Sequence, residues 1–124
     1  MGIKKLFLDS YALCEIAYGN LQYIEAVSDA RITLTQLNLA EYYYHLILNY
    51  GKEHAEKLTL RFEEYCVPFS TQTIMEAMDF RKTHKKRKLS YTDCIGYTVA
   101  VKSGALFLTG DKEFKDLPHV LFVK

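Results

Sequence analysis

The chain is poor in cysteine: three in 124 residues, Cys14, Cys66 and Cys94, odd in number and far apart. That excludes the paired spacing of a zinc site and the C-x-x-C of a redox pair, and leaves buried thiols as the expectation. Long apolar runs are missing too. The "LFL" of residues 6–8 follows Lys4 and Lys5 and is cut off by Asp9, too soon for the apolar stretch of a secretory signal or a membrane span. Leu6 stands where a myristoylation site needs Ser or Thr. A cytoplasmic, reducing setting with no membrane association is therefore expected. With two prolines and six glycines there is no linker, repeat or low-complexity segment, so one domain over residues 1–124 is expected. What remains, 49% hydrophobic and 25% charged, is the composition of an ordinary globular protein.

Net charge is scarce overall, formally +1 at pH 7, but it is unevenly placed. "RKTHKKRK" at 81–88 holds six Lys or Arg and no acid, leaving ten basic against fifteen acidic residues elsewhere. Two readings of this run stay open. It is either a solvated helix C-terminus, where the dipole favours cations, or a phosphate-backbone contact through Arg81, Lys85 and Arg87.

The apolar spacing alternates between strand and helix periods. "IKKLFL" reads as a first strand, then "YALCEIAYGN" and "LQYIEAVSDA" as helices broken near Gly19-Asn20, and "RITLTQL" as a second strand. "NLAEYYYHLILNYG" is a helix stopped by Gly51, "KEHAEKLTLRFEEYC" a more polar helix, "VPFS" a brief strand and "TQTIMEAMDFRKTHKK" a helix ending in the basic run. "SYTDCIGYTVAVKSG" is a helix stopped by Gly104, followed by strands "ALFLTG" and "HVLFV". The fold class is α/β, with a mostly parallel sheet of four to five short strands flanked by helices.

Within this pattern the acids fall at telling places. Asp9 closes "KLFLDS" and Asp111 follows "ALFLTG", each at the carboxyl end of a strand. Asp93 opens the helix before that last strand. A helix of about 12 residues carries the chain roughly 18 Å away and a strand of about 5 or 6 residues brings it back, so Asp93 and Asp111 finish at one edge. Glu41, one turn into the helix after strand two, joins the same rim. In open parallel α/β sheets that rim, where strand order reverses, is where ligands bind. Four carboxylates meeting there repel one another unless a cation intervenes, and oxygen-only donors point to Mg²⁺ or Mn²⁺, hence to phosphodiester hydrolysis. Each acid also has a local reading. Asn38-x-x-Glu41 and Ser90-x-x-Asp93 have the form of capping boxes, and Asp is a common turn residue.

The segments "FLDS", "NLAEYYYH", "SYTDCIGYTVAVKSGA" and "LFLTGDKEF" resemble a PIN domain, and specifically the VapC-type toxins of toxin-antitoxin pairs, over the whole chain. The resemblance implies that Asp9, Glu41, Asp93 and Asp111 form an acidic catalytic quartet holding Mg²⁺ or Mn²⁺. Ser10 and Thr109 would support the pocket, with Glu113 a less constant extra acid. It implies endoribonuclease activity on RNA, homodimerisation, and inhibition by an antitoxin protein. Asn38 stands where the family usually has Thr or Ser. Tyr42, Tyr43 and Tyr44 are open to core packing, a dimer contact or base stacking.

Other classes fit less well. An aspartyl-nucleophile phosphatase wants a second acid two positions after Asp9, where Tyr11 stands, and a receiver domain wants an acceptor Asp after a middle strand, where "VPFS" has none. An RNA-processing PIN nuclease that is not a toxin, and a non-catalytic PIN-like RNA-binding or interaction module, remain as alternatives.

Overall fold

Side-chain alternation decides the layering. A computed structural model describes Gly2 to Lys124, and in it β1 (Lys4–Leu8), β2 (Ala30–Thr33), β3 (Leu106–Thr109) and β4 (Val120–Phe122) form one sheet in the order β2-β1-β3-β4. Every pairing is parallel. Successive residues of a strand face opposite sides. Leu6, Leu8 and Leu108 accordingly enter one core cluster while Phe7 and Phe107 enter the other. The two strands central to the sheet are covered on both faces, which is why they read as nearly continuous apolar runs.

Six helices supply the cover: α1 (Ser10–Ala17), α2 (Leu21–Val27), α3 (Gln36–Tyr50), α4 (Lys52–Leu60), α5 (Thr71–Thr83) and α6 (Tyr91–Ser103). Residues of α1 to α4 line the leucine side, and α5 and α6 line the phenylalanine side. The result is a single α/β domain. No described helix is long and apolar enough to cross a membrane. Cys94 is buried, Cys14 and Cys66 are half-buried, and all three are free thiols.

Several boundaries differ from the sequence reading. The segment "VPFS" is not a strand: Pro68 has no N–H for a ladder, and the contact with the sheet edge is one parallel bridge between Leu34 and Cys66. The Val67 amide donates to the Leu34 carbonyl at 2.8 Å. "RITLTQL" stops being strand at Thr33, because Thr35 caps α3 and Gln36 already belongs to it. Asn38 is thus not an N-cap. It is the third helical residue and completes a capping box with Thr35, so Glu41 has no cap role. The expected long fourth helix ends at Leu60, followed by a turn and a short 3₁₀ helix at Glu63–Tyr65. Gly51 and Gly104 end their helices with positive φ, as read.

The phenylalanine side depends on one close approach. Phe7 and Phe107 stack with centroids 5.7 Å apart, and a Cβ on Gly96 of α6 would stand 2.9 Å from Phe7 Cε1. Both rings are fully buried and have no room to retreat. Gly96→Ala gains up to about 1 kcal/mol of helix propensity but incurs overpacking of about 1–3 kcal/mol. A net loss of about 1–2 kcal/mol is expected, read as a lower urea midpoint; an unchanged or higher midpoint would show that the rings yield.

Candidate active site

The rim is built by the reversal of strand order. The chain leaves β1 for β2 on one side and returns through four helices to β3 on the other, so β1 and β3 lie side by side with Leu8 opposite Leu108. Asp9 follows β1 directly and its amide donates to the Leu108 carbonyl at 3.4 Å. Asp111 follows β3 after Thr109 and Gly110. A cavity of about 450 Å³ opens here, and Asp9, Glu41, Asp93 and Asp111 all line it, together with Ser10, Tyr11, Cys14, Glu15, Tyr18 and His45.

Each acid is held by hydrogen bonds, local for the three aspartates and long-range for Glu41. Asp9 is the N-cap of α1, accepting from the Ala12 amide at 2.8 Å. Asp93 is the third residue of α6 and forms the expected capping box, Ser90 N–H to Asp93 Oδ2 at 2.9 Å and Asp93 N–H to Ser90 Oγ at 3.0 Å. Asp111 caps the short 3₁₀ helix at Lys112–Phe114, its Oδ1 accepting from the Glu113 amide at 3.0 Å. Glu41, in the second turn of α3, accepts from the Ser10 hydroxyl at 2.5 Å, and Asn38 donates to Ser10 Oγ at 3.4 Å. Capping and pocket lining are therefore not rival roles. The caps orient Asp93 and Asp111, and the Ser10 hydroxyl orients Glu41, and the remaining oxygens, Oε2 of Glu41, Oδ1 of Asp93 and Oδ2 of Asp111, have no partner among the described residues.

Burial makes this arrangement electrostatically costly. Asp9 is 4% exposed, and desolvation, opposed by hydrogen bonds from Thr109 and Ala12 and reinforced by the charges of Asp93 and Asp111, pushes its carboxyl up to about 7. Asp93 is raised as well, first by burial and then by Asp111 and Glu41. Burial, reinforced by the charges of Asp9, Glu15 and Glu41, pushes the half-buried Cys14 thiol up to about 11, so it stays protonated. The N-termini of α1 and α6, whose caps are at the rim, offset part of this negative field.

The four carboxylates suit a hard divalent cation, since the Cys14 thiol in the same lining stays protonated and His45 Nε2 is engaged by the Tyr18 hydroxyl. Among the described residues no three acidic, histidine or cysteine side chains close into a ready coordination group.

A PIN domain family match spans residues 6–120. The chain belongs to the PIN domain family. The PIN fold is shared, at TM-score 0.76 and 18% identity, with the Mycobacterium tuberculosis toxin VapC20, described as cleaving the sarcin-ricin loop, over 96% of this chain and 98% of that one. Rickettsia felis VapBC2, solved on a fragment of promoter DNA, matches at TM-score 0.72 and 19% identity over 96% and 97%. A DNA-bound VapBC from Salmonella typhimurium matches at 0.72 and 17% over 98% of both chains. At these identities the likeness is one of fold. No curated protein matches the chain in sequence.

Within this PIN domain the remaining site candidates separate. Ser10 lines the cavity, and Thr109 is fully buried behind it, accepting from the Asp111 amide at 3.0 Å. Glu113 does not line it; its carboxylate accepts from the Lys88 amide at 3.2 Å. Arg87 grips the Glu113 carbonyl at 2.6 Å and both oxygens of Asp116 at 2.9 and 3.1 Å, fastening the basic loop to the turn after Asp111. Arg81 donates to the Leu89 carbonyl at 3.1 Å and lies 4.7 Å from the Tyr91 ring centroid. Lys85 is exposed, with no protein partner among the described residues. Tyr42 is buried in the core, Tyr43 packs against it and Tyr44 is exposed. Tyr11, Cys14, Glu15, Tyr18 and His45 were missed as cavity residues. The signal existed: Cys14 and Tyr18 lie four and eight positions after Ser10, and His45 four after Glu41, on the same helix faces.

Proposed function

We propose that this PIN domain is a Mg²⁺- or Mn²⁺-dependent endoribonuclease hydrolysing RNA phosphodiester bonds, and the toxin of a VapBC-type pair. The observation that carries the reading is the convergence of Asp9, Glu41, Asp93 and Asp111 on one cavity at the carboxyl edge of the sheet. Asp9 is the rigid, buried anchor. Asp93 and Asp111 offer unclaimed oxygens to the same cavity. Bound among them, the ion would supply Lewis acidity at the phosphoryl oxygens and lower the pKa of water. Glu41, exposed and oriented by Ser10, would hold the attacking water and take its proton.

The neighbours described as VapC toxins and VapBC complexes support an antitoxin partner. A homodimer and a cytoplasmic setting belong to the same reading. Lys85, unengaged by protein, is the best placed of Arg81, Lys85 and Arg87 to meet the RNA backbone, while the two arginines shape the loop that carries it.

Incubation of the purified chain with RNA should give cleavage with Mg²⁺ or Mn²⁺ that stops on chelation and resumes when the ion is returned. Binding without cleavage under every divalent cation would instead identify a non-catalytic PIN-like module.

A further inference from the structure

The cavity has two unlike halves. Asp9, Glu41, Asp93 and Asp111 lie at the carboxyl edge of the sheet, and a fifth acid, Glu15, stands on α1 one turn before Tyr18. Beyond them the faces of α1 and α3 run side by side, linked by the Ser10–Glu41 bond at the start and by a hydrogen bond between the Tyr18 hydroxyl and His45 Nε2 further on. The Tyr18 and His45 rings meet edge to face at 5.7 Å, and Tyr50 continues the series 6.0 Å from Tyr18. His54 of α4 stands edge-on to Tyr50 at 5.7 Å. Tyr18 and Tyr50 keep 45% and 43% of their surface exposed, too much for core residues. Asn49, donating to the His45 carbonyl at 2.8 Å, holds that turn of the wall.

Charge decides what such a wall receives. The cavity is lined by five acids, Glu15 included, and no Lys or Arg. A phosphate backbone laid against it is repelled, whereas the uncharged faces of bases are not. Past the wall, a second concavity lined by Tyr50, Lys52, Glu53, His54 and Lys57 offers phosphates a cation in Lys52, while Lys57 lies 3.8 Å from Glu53. From Glu41 to Tyr50 the α3 axis covers about 14 Å, the length of roughly four base-stacking steps at about 3.4 Å each. Stacking on aromatic rings requires bases free of a duplex, which single-stranded RNA offers.

We infer that Tyr18, His45 and Tyr50 form a base-stacking subsite that receives the unpaired nucleotides flanking the scissile bond and leads the strand from the acidic cavity toward Lys52. The subsite rests on the nuclease reading for its RNA, but it is a property of the wall and not of the acids. The Tyr18–His45 hydrogen bond fixes both rings before the strand arrives, so less freedom is lost on binding.

The test measures binding of a fluorescent 12-nucleotide single-stranded RNA by anisotropy, in an Asp93→Asn background so that the strand survives. Inorganic polyphosphate serves as the base-free polyanion, and thermal melts confirm folding. Tyr18→Ala and Tyr50→Ala should each weaken RNA binding about five- to hundredfold and leave polyphosphate binding unchanged. Tyr18→Phe, which keeps the ring, and Tyr44→Ala, exposed but outside the wall, should bind RNA within about threefold of the parent. RNA binding unchanged in both alanine variants, or lost equally for polyphosphate, overturns the subsite. An effect confined to binding of a protein partner overturns it as well, assigning the wall to that partner. Absence of metal-dependent cleavage in the wild type would sink the nuclease reading without touching this measurement.

Discussion

Asp9→Asn is expected to abolish RNA cleavage and, in the absence of divalent cations at pH 8, to melt at a higher temperature than the wild type. The cause is the position of Asp9 between two strands at the bottom of an acidic cavity. Its carboxyl, ordinarily near 3.8, is pushed up to about 7, chiefly by desolvation. The folded state therefore holds the proton more tightly than the unfolded chain does. Between about pH 4 and pH 7 the unfolded chain gives up this proton while the folded protein keeps it, so the stability this group contributes declines across that window and is lowest above it. The burden at pH 8 is on the order of 2–4 kcal/mol. Asparagine removes it and still accepts from the Ala12 amide as the N-cap of α1. A rise of roughly 5–15 °C follows at pH 8, shrinking toward zero at pH 4.5, where the wild type is itself protonated. Cleavage should fall by about 10²- to 10³-fold or more, the scale expected when a group acting on transition-state charge is lost. Melts with chelator at the two pH values, beside an RNA cleavage assay, decide it. A variant less stable than wild type at pH 8, or one that cleaves normally, contradicts the assigned role.

Added Mg²⁺ or Mn²⁺ should relieve the same repulsion and raise the melting temperature of the wild type. At about 100 times its dissociation constant a cation binding only the folded state adds about 2.7 kcal/mol, or roughly 8–12 °C for a chain of this size. Because the ion must displace the proton of Asp9, its affinity should weaken steeply as pH falls from 8 to 6, with protons released on binding. Sign and window follow from the carboxyl near 7: ion and proton compete below that value and not above it. Asp93, raised by burial and by Asp111, adds to the competition. Asp93→Asn should lose the thermal shift along with cleavage. Calorimetric titration in buffers of different ionisation enthalpy reads the released protons. A thermal shift independent of pH, or one surviving Asp93→Asn, would place the ion elsewhere.

The acids were legible to different degrees. Asp9 and Asp111 could be located because each ends an apolar strand, and strand period and turn chemistry are written within a few neighbouring residues. Asp93 followed from helix and strand lengths alone, and its capping box with Ser90 was readable as spacing. Glu41 was placed on the right rim by a partly wrong route. The β-branched run through Thr35 suggested more strand than there is, moving the expected helix start to Asn38. Thr35 instead takes the cap, because its hydroxyl accepts from the Asn38 amide while Asn38 returns a bond to the Thr35 amide. Either start leaves Glu41 on the first half of α3.

Sequence by itself determined the α/β class with a mostly parallel sheet, the helix stops at Gly51 and Gly104, and which acids lie at strand ends, since each is written in apolar spacing and turn residues close along the chain. Tertiary structure alone decided how the site is held and what surrounds it. Ser10 orients Glu41 across 31 residues, Arg87 is drawn to Asp116 across 29, and Tyr18 meets His45 across 27. Such contacts are set by the register in which whole helices dock on the sheet, which depends on the complete core on both faces and on no single local pattern. The same docking removes Asp9 from water, and that burial, invisible in a turn residue read from its neighbours, is what moves its proton into the physiological range.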